Sequence, residues 1–241
     1  MKIGFVVNPI AGMGGKVGLK GTDGMLQEAI KRGARREAPQ KAIKFLKALR
    51  EKKIDVQIFT ASHEMGEDEC KDAGIKARVV YQCNNPTTAM DTKKACIEFM
   101  KHGVDAIVFV GGDGTARDVY SVVKDRIAMM LGVPAGVKMY SGVFAFTPEM
   151  AAEVIANFDG SVDAEIIDID EEAFRKDKLE LKIYGYAKTL GGNVQQGKIL
   201  IASDKEMKES IVSFMALICR KGNYIIGGGS TTYARLNNIC N

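Results

Sequence analysis

Five consecutive residues, Gly111-Gly112-Asp113-Gly114-Thr115, have the composition of an anion-binding turn. They follow a strand whose residues from Ala106 to Val110 are an unbroken apolar run, and precede an amphipathic stretch, so they join a strand to a helix. Glycines let the backbone approach a phosphate closely, and the free N–H groups and dipole at a helix start favour negative charge. An aspartate in such a turn would repel phosphate unless it held a metal or took a proton from an attacking hydroxyl. Asp113 is therefore the candidate catalytic group, and Gly111, Gly112, Gly114 and Thr115 are candidate phosphate ligands. The competing reading is a tight strand-to-helix turn in which Asp113 caps the helix at Thr115.

A second cluster, Asn8-Pro9-Ile10-Ala11-Gly12-Met13-Gly14-Gly15-Lys16, continues through Gly18, Lys20, Gly21, Thr22, Asp23 and Gly24 and also follows an apolar strand. It lacks the spacer and the Gly-Lys-Ser/Thr ending of a P-loop. Loops at the carboxyl ends of parallel strands line the ligand crevice of open α/β sheets, so Asn8, Gly12, Gly14, Gly15 and Lys16 can face Gly111–Thr115. Lys16 and Lys20 would offset phosphate charge there, unless this is a surface loop with solvated lysines. A third cluster, Gly227-Gly228-Gly229-Ser230-Thr231-Thr232-Tyr233, offers N–H groups, hydroxyls and an aromatic ring to an adenine or a ribose, or else is a tail. Three further segments divide between structural and substrate roles. Thr87, Thr88 and Asp91 begin a helix, Arg117 and Asp118 sit just past the glycine turn, and Lys138, Tyr140 and Ser141 follow a strand end.

The elements that must position these residues follow from periodicity. Strands are expected over Ile3–Val7, Ile54–Thr60, Lys76–Tyr81, Asp105–Val110 and Met130–Ala135. Helices are expected over Ala38–Lys53, Thr87–His102 with Ala95, Ile97, Phe99 and Met100 inward, Thr115–Arg126, and Pro148–Phe158 behind a Thr147 cap. Alternating strand and helix indicate an α/β domain with an open parallel Rossmann-like sheet and helices on both faces. Beyond about residue 160, Ala164–Ile169 and Lys178–Ala187 alternate apolar and polar residues as antiparallel strands with one wet face do. A strand over Gln196–Ala202, a helix over Asp204–Cys219 and a strand over Tyr224–Ile226 are expected after them. The division expected is 1–160 for the α/β domain and 161–241 for a β-rich second domain.

Composition narrows the classes. The chain has 241 residues, 34 Lys+Arg and 30 Asp+Glu, net +4, with 46% hydrophobic residues, which suits a globular protein and argues against disorder or a coiled coil. No run reaches the ~18 apolar residues of a membrane span, and the N-terminus enters a strand without signal-peptide regions, so a cytoplasmic location is expected. The five Cys form no Cys-x-x-Cys pair, and His63 and His102 are the only histidines, so no protein-built metal centre is expected and buried or surface thiols are. Residues 1–55 carry 13 Lys+Arg against 5 Asp+Glu. That excess is either a solvated helix face or a field that attracts an anionic substrate; nucleic acid is disfavoured for want of a motif.

Gly111–Thr115 matches the Gly-Gly-Asp-Gly-Thr signature of the NAD kinase and diacylglycerol kinase superfamily. With the Asn8–Gly24 loop, Ala116-Arg117-Asp118, Gly136-Val137-Lys138-Met139-Tyr140-Ser141 and Phe144-Ala145, the chain resembles the ATP-NAD kinase/AcoX-like branch, densely over residues 1 to about 160. The resemblance implies Mg²⁺-dependent transfer of a phosphoryl group from ATP, or polyphosphate, to the adenosine 2′-hydroxyl of NAD. It implies Asp113 as the base or orienting group, and a homo-oligomer, dimer or tetramer, acting on small nucleotides. Gly229–Tyr233 is similar to the Gly-Ser-Thr-Ala-Tyr segment that holds adenosine in NAD kinases, with Thr232 in place of Ala, and implies an NAD contact by Ser230, Thr231, Thr232 and Tyr233. The Asn-Glu pair of typical NAD kinases is missing; Asn193 is a poor substitute. The resemblance also implies a longer β-rich domain, of which 161–241 would be only the start. A non-catalytic AcoX-like nucleotide-binding protein and a lipid kinase are the alternatives, the second weakened by the lack of an amphipathic basic helix with exposed aromatics.

Overall fold

The structure, a computed structural model, describes residues 1–18, 25–126, 128–136, 139–169 and 181–191, without the side chains of Gly15 and Lys16. Five short apolar segments pair in parallel as β1 (Lys2–Val7), β2 (Gln57–Ala61), β3 (Ala77–Tyr81), β4 (Ala106–Gly111) and β5 (Met129–Pro134), in the order β3-β2-β1-β4-β5. The side-chain period of two decides what each face of the sheet buries. In β1, Ile3, Phe5 and Val7 enter one core and Val6 the other; in β4, Ala106, Val108 and Val110 separate in the same way from Ile107 and Phe109. Every residue of β4 is buried, as its unbroken apolar run requires of a central parallel strand.

Helices cover both faces. On the first face α3 (Ala38–Glu51) contributes Ala42, Phe45, Leu46 and Leu49, an i, i+3, i+4, i+7 stripe, and α7 (Pro148–Ala156) contributes Ala151, Ala152, Val154 and Ile155. Phe45 stacks on Phe5 with ring centroids 5.7 Å apart. Lys44, Lys47 and Arg50 lie on the exposed side of α3, so part of the N-terminal basic excess is a solvated helix face. Thr147 caps α7 as expected, its hydroxyl accepting from the Met150 N–H at 3.1 Å. On the second face α5 (Ala89–Lys101) buries Ala95, Cys96 and Phe99, and α6 (Asp113–Val123) buries Ala116, Val119 and Val123. Gly4 is bare because a side chain there would strike Phe99.

Several local expectations are corrected. Ile97 is 40% exposed, because the apolar stripe of α5 runs through Ala95, Cys96 and Phe99, with Met100 packed against the same core as expected. β2 begins at Gln57, three residues late. The glycine-rich stretch after β1 is not all loop: it contains α1 (Met13–Lys16) and is followed by α2 (Leu26–Lys31). A further short helix, α4 (Glu67–Asp72), follows β2 and offers too little periodicity to be read from sequence. His102 closes α5 and stacks on Phe59 at 5.2 Å, whereas His63 is exposed. Phe144 makes an isolated bridge to Gly132 of β5. Cys70 and Cys96 are buried free thiols; burial pushes Cys70 up to about 12 and Cys96 further, so both stay protonated.

A separate antiparallel pair, β6 (Ser161–Ile169) and β7 (Leu181–Leu190), confirms the change of texture after residue 160. Its inner residues Ala164, Ile166 and Ala187 join the second core. The expected strand over Gln196–Ala202, helix over Asp204–Cys219 and strand over Tyr224–Ile226 lie outside the described residues.

Candidate functional site

In this strand order the chain leaves β1 toward β2 on one side and passes β4 and β5 on the other, so a crevice opens between β1 and β4 at their carboxyl ends. The loops after β1, β4 and β5 meet there. The Asn8 N–H extends the ladder by donating to Val110 O at 2.9 Å, and its side-chain amide donates to Thr115 Oγ1 at 3.0 Å. Its carbonyl oxygen accepts from the Ile10 N–H at 3.3 Å, closing a turn. One side chain thus ties the first loop to the Gly-Gly-Asp-Gly-Thr turn. Gly12 has φ of 78°, and a side chain there would collide with the Ala135 carbonyl, so the first loop is pressed onto the loop after β5. Gly111 is bare for a similar reason: a Cβ would meet Thr115 Cβ at 2.5 Å.

Helix α6 begins at Asp113, two residues earlier than expected, with Gly112 as its cap. Asp113 does not cap the helix. Its carboxylate turns to the loop after β5, where Oδ2 accepts from the Tyr140 N–H at 2.9 Å and Oδ1 from the Ser141 N–H at 2.8 Å. The first N–H groups of α6 have no partner within the helix, and Gly112 carries no side chain to cover them, which leaves them to an anion. A Cβ on Gly112 would touch nothing nearer than Met139 Cε at 3.9 Å, so the turn is open at this point. Burial pushes the Asp113 carboxyl up to about 6. The hydrogen bonds from Ser141 and Tyr140 pull against that rise, and the negative charge of Asp168 adds to it. A carboxylate that titrates near neutrality, held in place by two backbone donors, can accept a proton from a hydroxyl.

The other candidates separate clearly. Thr88 and Asp91 form a capping box at the start of α5. Asp91, 2% exposed, accepts from the Thr88 N–H and hydroxyl, both at 2.8 Å, and from the Tyr81 hydroxyl at 2.8 Å and the Asn84 N–H at 3.3 Å. Burial alone would raise its carboxyl, but these bonds overcome it and hold the group below the usual range. Its position is that of a bracket between β3 and α5. Asp91→Asn puts an NH₂ where donors converge and is expected to cost about 1–3 kcal/mol of stability. Urea unfolding checks this, and an unchanged midpoint would show the bracket to be dispensable.

Arg117 and Asp118 do not pair with each other. Asp118 meets Lys93 of α5 at 3.1 Å, while Arg117 meets Asp168 of β6 at 3.4 Å and lies over the Tyr184 ring at 5.2 Å. Asp168 and Tyr184 had no signal in the sequence. A bulge between Ile166 and Ile167 shifts the alternation of β6, so a period of two cannot tell which way Asp168 faces. Gly14 lies in α1, as do the backbones of Gly15 and Lys16. Lys138, the Lys16 side chain, Lys20, Asn193, Ser230, Thr231, Thr232 and Tyr233 lie outside the described residues.

Among the described residues one group of three possible metal ligands stands together, His63, Glu67 and Asp68, and Lys71 already sits 2.7 Å from Glu67. Among the described residues, Asp168 is the carboxylate whose charge reaches Asp113 at the crevice. That donor set fits Mg²⁺ shared with phosphate oxygens, which needs only one or two protein carboxylates, rather than an all-protein cage.

Residues 3–159 match the family model described as the ATP-NAD kinase N-terminal domain. The match spans β1 to the end of α7 and includes all three loops of the crevice. A search of curated proteins found no match.

Proposed function

The chain belongs to the ATP-NAD kinase family through its N-terminal domain, and on that premise we propose that it is an NAD kinase. The reaction is transfer of the terminal phosphoryl group of ATP, or of polyphosphate, to the adenosine 2′-hydroxyl of NAD, giving NADP. One observation carries the reading. Asp113 is turned away from its own helix start and held at the crevice by two backbone N–H groups. The start of α6 is thereby left to phosphate and the carboxylate to a hydroxyl. A turn that served only to connect β4 to α6 would have used the aspartate as its cap.

In this mechanism Asp113 accepts the proton of the 2′-hydroxyl as its oxygen bonds to the terminal phosphorus. The bond from that phosphorus to the bridging oxygen breaks, and ADP or the shortened polyphosphate leaves. The N–H groups of Gly112, Gly114 and Thr115 hold the phosphates, with Thr115 set by Asn8. Mg²⁺ bound with the donor phosphates would offset their charge, with Asp113 and Asp168 as the nearby carboxylates. Arg117, beside Asp168, keeps that second carboxylate from adding a bare negative charge to the site.

The reading also proposes a homo-oligomer acting on small nucleotides in the cytoplasm, with a domain division at 160/161. Among the described residues no helix is long and apolar enough to cross a membrane. The test is NADP formation from NAD and Mg²⁺ with ATP or polyphosphate as donor. Turnover with either is expected and names the donor. Tight nucleotide binding without turnover would instead support the AcoX-like alternative, and transfer to diacylglycerol would support a lipid kinase.

A further inference from the structure

The two donors that hold Asp113 belong to a loop that is itself held from the far side. The Ser141 side chain is fully buried, and its hydroxyl donates to Ile167 O at 2.9 Å and accepts from the Ile167 N–H at 3.0 Å. A single side chain thus satisfies both polar groups of one β6 residue, as a neighbouring strand would. The next residue adds a third tie, with the Gly142 N–H donating to Glu165 O at 2.8 Å. On its other side the same segment is bonded to β5, through Gly132 N–H to Val143 O at 2.8 Å and Ala145 N–H to Gly132 O at 2.9 Å. Residues 140–145 are therefore stretched between β5 and β6, and the Tyr140 and Ser141 N–H groups that point at Asp113 have little freedom.

We propose that Ser141 is a positioning residue, whose hydroxyl anchors this loop to β6 and so sets the orientation of the Asp113 carboxylate, without touching substrate. The inference rests on the reading of Asp113 as proton acceptor, and it changes the role of Ser141 from nucleotide contact to anchor. The hydroxyl proton goes to Ile167 O, which leaves none for a ligand, and the same side chain also favours the charged form of the Asp113 carboxyl beside it. The reason evolution of such a site would use β6 is chemical. Two N–H groups stabilise the charged carboxylate only while they stay within bonding distance, and a loop tied at one end alone would let them drift.

The experiment is backbone amide hydrogen exchange at Tyr140, read by ¹⁵N NMR in the full chain, wild type beside Ser141→Ala and Ser141→Thr. It needs no turnover, so it separates failure of this proposal from failure of the kinase reading. Ser141→Ala is expected to speed exchange of the Tyr140 N–H by at least about tenfold, as the loop loses its tie to β6. Ser141→Thr, which keeps the hydroxyl, is expected to return it toward the wild-type rate. A rate unmoved or slowed in Ser141→Ala, or raised as far by Thr as by Ala, overturns the proposal. Where Ser141→Ala fails to fold, Ser141→Cys takes its place, weakening both bonds at similar volume; a smaller acceleration is expected, and none overturns it. In a turnover assay Ser141→Ala should lower kcat by about tenfold or more with KM for NAD nearly unchanged, whereas a residue that touches substrate would raise KM.

Discussion

Replacing Asp113 with asparagine should lower kcat for NADP formation by about 10²–10⁴-fold, the range that a positioned general base contributes, while leaving nucleotide affinity within a few-fold. The phosphates are held by backbone N–H groups of the turn, which the substitution does not remove. The proton acceptor is lost outright, because an amide takes no proton at neutral pH. The substitution also has a structural cost that must be measured beside the rate. Both oxygens of Asp113 accept backbone N–H bonds, and the NH₂ of asparagine must face one of those donors. That mismatch is expected to cost about 1–3 kcal/mol, so unfolding curves should accompany the kinetics. A folded variant that retains more than about a tenth of wild-type kcat would remove Asp113 from the catalytic role.

The second large effect is on pH dependence, where activity and stability should move in opposite directions. With the Asp113 carboxyl raised from 3.8 to about 6, kcat should fall about tenfold per unit below that inflection as the acceptor becomes protonated. The residual rate of Asp113→Asn should lack this limb. For stability, the native carboxyl holds its proton up to about pH 6 while the same group in the unfolded chain releases it near 4. The native state therefore binds the extra proton in that window, and the stabilisation, greatest below pH 4, is lost as pH rises through about 6. The size is on the order of 2–3 kcal/mol at most, from about 1.4 kcal/mol per pH unit. Glu69, pushed up to about 7 chiefly by burial, acts with the same sign, so the contribution of Asp113 is read as the difference between wild-type and Asp113→Asn unfolding curves at pH 4.5 and 7.5. A difference that is flat across this range, together with a kcat limb far from pH 6, would mean that the carboxyl is not perturbed as described.

Legibility in the sequence followed the range of the interactions. The parallel sheet could be read because its inner strands are short apolar runs buried by neighbours on both faces, and β4 shows this over every residue from Ala106 to Gly111. The α3 stripe and the Thr147 cap were equally local. The shortest helices were not legible: α4, with Glu67, Asp68 and Glu69 in its first turn, has no apolar period to count. Ile97 was misplaced because one helical turn offers two apolar registers, and only the position of β1 selects Cys96 and Phe99.

What the sequence by itself determined was the chemistry available at each strand end: glycines where backbones or ligands come close, an aspartate within an anion turn, an asparagine opening the first loop. What only the tertiary structure decided was which groups those side chains meet. The donors to Asp113 come from 27 and 28 residues away, the anchor behind them from 26 further on, and the partner of Asn8 from 107. Local periodicity records which way a residue faces relative to its own element. It carries no information about which loop the fold brings opposite, and the direction of the Asp113 carboxylate, on which its proton affinity depends, is set entirely by that second fact.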